Sequence, residues 1–258
     1  MRIAVSGKGG VGKTTLAAAL ALTWARDGRR VYAVDADPDA NLAEALGATP
    51  EEAERCLPLS HLADVIEERT GARPGAGGMF RLDPEVDDIP DAYSVEVDGV
   101  RILRMGTVER GGSGCMCAES VFLRAVVSRL LADEESVVVM DMEAGLEHLG
   151  RGTADAVDAF VVVVEPGSRS VATAGAVRRL ASDLGVPRVV VVCNKVRSAE
   201  DEEYLRAALG DEPFAWLPDS DAIRMADRGR RTPLDADATF AEKVRTLAGG
   251  IIDHIERT

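Results

Sequence analysis

The sequence predicts an α/β protein: one domain with a mostly parallel central sheet flanked by helices, plus one β-hairpin. Three observations predict it. Residues 3–6, 31–34, 137–142, 160–164 and 189–193 are short, continuous apolar runs rich in valine, the pattern of strands buried on both faces. Helical patterns over 14–26 and 171–184 stand between such runs, which is the βαβ signature of a parallel sheet. Residues 94–97 and 100–105 flank Asp98-Gly99, the turn pair of a tight hairpin.

The first strand, residues 3–6, runs into Gly7-Lys8-Gly9-Gly10-Val11-Gly12-Lys13-Thr14-Thr15, and a helix-forming run follows to Arg26. From Gly7 to Thr14 this fits G-x-x-x-x-G-K-[ST], the phosphate-binding loop, in its strand-to-helix context. Glycines let successive N–H groups converge on phosphate oxygens, and the following helix adds its positive N-terminal end. Gly9, Gly10, Val11 and Gly12 are expected to line the phosphates, and Lys13 to bridge the β- and γ-phosphates. Thr14 offers a hydroxyl to Mg²⁺, and Thr15 contacts a further phosphate oxygen. A glycine-rich turn that binds nothing would need neither the lysine, the hydroxyl nor the helix.

Asp27-Gly28 ends the first helix with a glycine in the C′ position. The second strand delivers Asp35-Ala36-Asp37-Pro38-Asp39 to the carboxyl edge of the sheet, where ligands collect in such folds. Asp39 is expected to cap a helix over 41–46. Gly47 closes that helix, and Thr49-Pro50-Glu51-Glu52 opens the next with a capping box. A helix is predicted over 61–69. From 71 to 90 the composition turns to Gly, Pro and Asp, which reads as a long surface loop or insertion.

After the hairpin, a glycine-rich loop over 106–114 ends in Cys115-Met116-Cys117, and 119–131 is a helix with Val121, Phe122, Ala125, Val126 and Leu130 on one face. The two cysteines therefore sit at a helix N-terminus, whose positive end favours thiolate, the form that binds soft metals. The strand at 137–142 leads into Asp141-Met142-Glu143-Ala144-Gly145. Asn194-Lys195 follows the strand at 189–193. A short strand over 214–217 runs into Pro218-Asp219-Ser220, and helices near 221–228 and 239–257 finish the chain.

Hydrophobic residues make up 46% and charged residues 29% of the 258, the proportions of a folded globular protein, and nothing marks a linker or repeat. With 30 basic and 44 acidic residues, the net charge of -14 opposes nucleic acid and anionic membrane as partners. No basic n-region or long apolar run precedes the first strand, so neither signal peptide nor membrane span is expected, and the location expected is cytoplasmic. In that compartment the four cysteines are expected as thiols or metal ligands, with Cys56 and Cys193 as core thiols.

Lys8, directly after the first glycine, narrows the class. From Lys8 to Thr14 the chain matches K-G-G-x-G-K-[ST] and resembles the deviant Walker A P-loop ATPases, the superfamily of MinD, ParA and the nitrogenase iron protein. The resemblance implies a single P-loop NTPase domain over residues 1–258 that hydrolyses ATP to ADP as a homodimer, with Lys8 reaching the partner's nucleotide. It makes 35–39 the first switch, with Asp37 orienting the attacking water and holding Mg²⁺ through water. Residues 141–145 resemble the Walker B aspartate and switch II D-x-x-x-G, with Asp141 also holding Mg²⁺ through water, Gly145 swinging toward the γ-phosphate and residues 146–157 following as the transmitting element. Asn194, Lys195, Pro218 and Asp219 correspond to the positions around adenine.

The stretches Arg104-Met105-Gly106, Gly111-Gly112-Ser113, Cys115 with Cys117, Asp141-Met142, Glu147-His148-Leu149 and Arg151-Gly152-Thr153-Ala154 look like the carbon monoxide dehydrogenase accessory ATPases of the CooC type. This implies a dimer that carries a metal between its subunits and assists nickel insertion into carbon monoxide dehydrogenase. Two thiolates are too few for a closed site, but a two-fold axis would bring four together from Cys115 and Cys117 of both chains, which suits Zn²⁺ or Ni²⁺. Two alternatives stay open: an ATP-dependent Fe–S electron-transfer protein like the nitrogenase iron protein, and a metal-free nucleotide switch like MinD or ParA. The first would be expected to place a cysteine just after the Walker B strand, and 141–152 holds none.

Overall fold

The computed structural model describes residues 1–75, 79–107, 117–143 and 157–257. Its strands are β1 (Arg2–Gly7), β2 (Val31–Asp35), β3 (Val95–Val97), β4 (Val100–Arg104), β5 (Val137–Asp141), β6 (Ala159–Val164), β7 (Val189–Val196) and β8 (Ala215–Pro218). They form one eight-stranded sheet in the order β3-β4-β2-β5-β1-β6-β7-β8. Every pairing is parallel except β3 with β4, the expected hairpin. Asp98 (φ 48°) and Gly99 (φ 79°) supply its turn, both in the left-handed region that a two-residue hairpin of this hand requires.

Between and after the strands come α1 (Lys13–Arg26), α2 (Leu42–Ala45), α3 (Pro50–Arg55), α4 (Ala63–Thr70), α5 (Ile89–Tyr93), α6 (Ala118–Ala132), α7 (Ser168–Asp183), α8 (Ala199–Leu209), α9 (Asp221–Gly229), α10 (Pro233–Ala236) and α11 (Ala238–Glu256). Alternate strand residues feed two separate cores, as the period of two demands. Ile3, Val5, Ala33, Val139 and Val161 face α1 and α11, while Ala4, Val34, Val138, Met140 and Phe160 share the other core with Phe122 and Val126 of α6 and Val177 of α7. Helix α1 is buried nearly all round: Ala17, Ala18, Ala19 and Ala21 are fully buried, with Leu20 and Trp24.

The capping box of α3 is present: Glu52 N–H donates to Thr49 Oγ1 at 3.2 Å, and Thr49 N–H donates to Glu52 Oε2 at 2.8 Å. The cap expected for α2 is not. Its N-cap position is Asn41, whose side chain donates to the Asp39 carbonyl at 2.7 Å instead of capping the helix, and Asp35 rather than Asp39 accepts the N–H of Leu42, at 3.0 Å. The buried end of β2 lies against the start of α2, so a residue seven positions back outcompetes a nearer one that is in solvent.

The helix expected over 61–69 is divided into a 3₁₀ turn, Leu59–His61, and α4. Residues 79–88 carry no helix or strand, and Val86 with Ile89 is buried in the core beneath α6. Asn194 and Lys195 lie within β7 rather than beyond it.

Phe122 is fully buried in the α6 core, and Phe122→Ala is expected to cost about 3–5 kcal/mol of stability through lost burial and the cavity left behind. Urea unfolding should show a lower midpoint with an unchanged slope.

Candidate active site

The central strand β1 lies between β5 and β6, in a register that aligns Val5 with Asp141 and Gly7 with Val163. Gly7 must be glycine because a Cβ there would lie 2.5 Å from the Val163 carbonyl oxygen. The chain then turns through residues 8–12 into α1. Gly12, at φ 96°, is the residue before the helix and takes a backbone conformation that side chains disfavour. A glycine-rich turn at the N-terminus of a fourteen-residue helix presents unpaired N–H groups and the positive helix end to one point.

That point opens onto a cleft of about 790 Å³, which brings together Gly9, Gly10, Gly12, Lys13, Thr14, Thr15, Asp37, Asn194, Lys195, Pro218 and Asp219. Eleven of the residues singled out from the sequence thus meet in one place. Val11 is not among them, because its side chain is buried in the core. Lys8 is half-buried at the loop tip and lies outside the lining. Glu143, to which the sequence assigned no role, lines the cleft.

At the deep end Asp141 lies near two further carboxylates, Asp35 and Asp37, and one buried cation, Lys13. Lys13, only 6% exposed, holds its ammonium 3.6 Å from Asp37 Oδ2. Asp141 is fully buried at the end of β5, and neither of its oxygens has a hydrogen-bond partner among the described residues. Burial pushes its carboxyl up to about 7, an effect that the neighbouring Thr14 hydroxyl and Lys13 ammonium only partly offset. An unsatisfied buried carboxylate beside a threonine hydroxyl and a second carboxylate is a hard oxygen donor set, and it fits Mg²⁺.

The third carboxylate, Asp35, went unassigned in the sequence. It is buried, and burial raises its pKa against the N–H donors it accepts, Leu42 at 3.0 Å and Asp37 at 3.3 Å. It therefore holds the 36–41 loop at both ends. The signal was present in the sequence as the first aspartate of D-A-D at a strand end. The main chain extends this arrangement sideways: Ala36 N–H donates to Asp141 O at 2.9 Å, and Met105 N–H to Asp35 O at 2.8 Å. The ends of β5, β2 and β4 are thus tied together, and the loop toward the cysteines departs from the last of them.

At the far end of the cleft, Asp219 accepts from Arg197 Nε at 2.7 Å and also from Arg224. Asn194 Nδ2 donates to the Val11 carbonyl at 2.8 Å, and Lys195 Nζ donates to the Gly10 carbonyl at 2.5 Å. Cys117 occupies the N-cap of α6, its sulfur accepting the Ser120 N–H at 3.4 Å and lying 3.1 Å from Ser120 Oγ. Cys115 lies outside the described residues, as do Gly145 and the segment carrying Glu147 and His148. Among the described residues, no group of three or more His, Cys, Asp or Glu is placed to hold a metal ion. No helix among them is long and apolar enough to cross a membrane.

A strand-to-helix glycine loop carrying a buried lysine, with a buried aspartate on the adjacent parallel strand, defines a P-loop ATPase. The chain belongs to the CobQ/CobB/MinD/ParA nucleotide-binding domain family, whose model matches residues 3–232. It is 42% identical to the carbon monoxide dehydrogenase accessory protein CooC of Rhodospirillum rubrum, over 100% of this chain and 98% of that protein. It is 40% identical to an uncharacterized ATP-binding protein of Methanocaldococcus jannaschii, over 98% of each. The cell division ATPase MinD of Pyrococcus furiosus shares the fold, with a TM-score of 0.68 over 98% of both chains at 20% identity.

Asp141→Asn is expected to abolish turnover yet stabilise the protein in Mg²⁺-free buffer, because it removes an uncompensated buried charge. A carboxyl raised to about 7 in the fold destabilises the fold when ionised, so stability falls as pH rises from the unfolded-state value towards 7 and then levels off. The gain from asparagine should therefore be greatest above pH 7, up to about 4 kcal/mol, and vanish in acid. Thermal melts of both proteins across pH check this.

Proposed function

We propose that this ATPase acts as a cytoplasmic homodimer that holds a nickel or zinc ion between its subunits and assists nickel insertion into carbon monoxide dehydrogenase. The observation that carries the reading is the 42% identity to an accessory protein of that enzyme along essentially the whole of both chains. Cys117 at the N-cap of α6 supports it, since a thiol there is presented at a helix N-terminus.

In this reading Lys13 and the amides from Gly9 to Thr15 hold the phosphates, and Asn194, Lys195, Pro218 and Asp219 border the base. Thr14, with Asp37 and Asp141 acting through water, would hold Mg²⁺, which would supply positive charge to offset that of the phosphates. The Lys13 ammonium now pairs with Asp37, so an entering phosphate exchanges one anionic partner of the lysine for another and frees Asp37 to orient the attacking water. Lys8 reaches the nucleotide of the partner subunit. Cys115 and Cys117 of both subunits supply four thiolates to the cargo metal. ATP-driven closure changes their spacing, and metal in turn changes nucleotide affinity, as reciprocal linkage requires.

Metal content per dimer on anaerobically purified protein, after addition of Ni²⁺ or Zn²⁺, tests the cargo. About one ion per two chains is expected, lost in the Cys115→Ala/Cys117→Ala variant while ATP binding persists. Iron with sulfide and a broad visible band would replace this reading with an Fe–S electron carrier, and no metal would leave a nucleotide switch. Lys13→Ala should lose ATP binding. Lys8→Ala should bind ATP but lose turnover by about 10³-fold, the scale of a cation supplied in trans, and sedimentation with ATP should then show monomer.

A further inference from the structure

We infer that Asn194, Lys195 and Glu165 form a brace behind the phosphate loop and act on phosphate binding through its backbone. Asn194 Nδ2 holds the carbonyl of Val11, and Lys195 Nζ holds the carbonyl of the residue before it, Gly10. In a trans peptide the C=O and the following N–H point in opposite directions. Clamping two successive carbonyls towards β7 therefore turns the N–H groups of Val11 and Gly12 away from it. Val11 N–H makes a 3.4 Å contact with Lys8 O that closes the turn, and Gly12 lines the cleft. A loop with glycine at 9, 10 and 12 has little intrinsic preference for one peptide orientation over its flipped form. The clamps supply that preference from outside.

The backbone is shaped for this task. Consecutive strand residues ordinarily point to opposite faces, so one strand does not present both side chains to one loop. Here the register of β7 against β8 shifts between Cys193 and Val196, and Lys195 adopts φ 57°. A bulge with a non-glycine residue in the left-handed region re-aims a side chain at a local cost, the mark of a functional constraint. Asn194 is only 7% exposed and fits closely: a Cβ on Gly12 would lie 2.5 Å from its Nδ2. Glu165, just past β6, completes the arrangement, its Oε2 3.2 Å from Lys195 Nζ and its own N–H donating to Ser170 Oγ at 3.0 Å. It fixes the ammonium over the Gly10 carbonyl without lining the cleft.

This inference rests on the loop being the phosphate site, and the test separates the two. Inorganic tripolyphosphate with Mg²⁺ has no base, so it reports on the loop alone. It is titrated against a fluorescent ADP analogue bound to wild type, Asn194→Ala, Lys195→Met and Glu165→Gln proteins, with GTP in parallel. A lost brace should weaken tripolyphosphate, which no contact to the base can affect, by about tenfold for Asn194→Ala and Lys195→Met and a few-fold for Glu165→Gln, and ATP by at least as much. Unchanged tripolyphosphate affinity with a collapsed ATP to GTP ratio would assign these residues to the base and overturn the brace. If wild type binds neither probe, the phosphate site itself fails, and the brace with it. Should the buried Asn194 variant misfold, the half-exposed Lys195 and Glu165 variants decide the matter.

Discussion

Everything at the active edge depends on the parallel pairing of β1 with β5 on one side and β6 on the other. That pairing fixes how far each chain segment has travelled when it leaves the sheet. Val5 opposite Asp141 and Val31–Asp35 opposite Val137–Asp141 bring the glycine loop and the aspartates of β2 and β5 out at one level. Because side chains alternate along a strand, a slip of one residue in any of these ladders would turn Asp141 or Asp35 to the opposite face. The registers are secured by valines and alanines buried in two cores at once. Hydrophobic packing, not the polar groups themselves, therefore sets the distances between the charges.

The charges left at that edge are costly. Among the described residues neither oxygen of Asp141 has a hydrogen-bond partner, Asp35 accepts from backbone amides, and Lys13 pairs with Asp37 at 3.6 Å. A protein selected for stability alone would replace such a group with apolar residues. Their persistence in a buried pocket beside a glycine loop is what makes the site a place for added charge, a phosphate for the lysine and a divalent cation for the carboxylates.

Much of this was legible in the sequence because the signals were local. The phosphate loop, the Asp98-Gly99 hairpin, the capping box at Thr49 and the five apolar runs each declare themselves within a few residues. What the sequence did not declare depends on tertiary neighbours. Asp39 sits nearer α2 than Asp35 does, and only the burial of the β2 end decides which carboxylate the helix uses. The same holds for Asn194 and Lys195: the family resemblance marks them as candidates for the base, but the bulge that points both at the loop comes from how β7 lies on β8. The segment before α5 reads as a surface loop by composition, and buried Val86, with Ile89 at the start of α5, gives it an anchor.

The alanines of α1 have a consequence of their own. Four of them, all fully buried, line a helix that packs against β1, β5 and α11. Small side chains allow the helix axis to approach the sheet closely, and the helix carries the glycine loop at its end. The length of the lever from sheet to loop is thus set by methyl groups one to three turns away. A single larger residue on that face would lift the whole helix and carry the lysine and threonine off their carboxylates without touching any of them. The affinity of such a site can be tuned, or lost, from positions that never see a ligand.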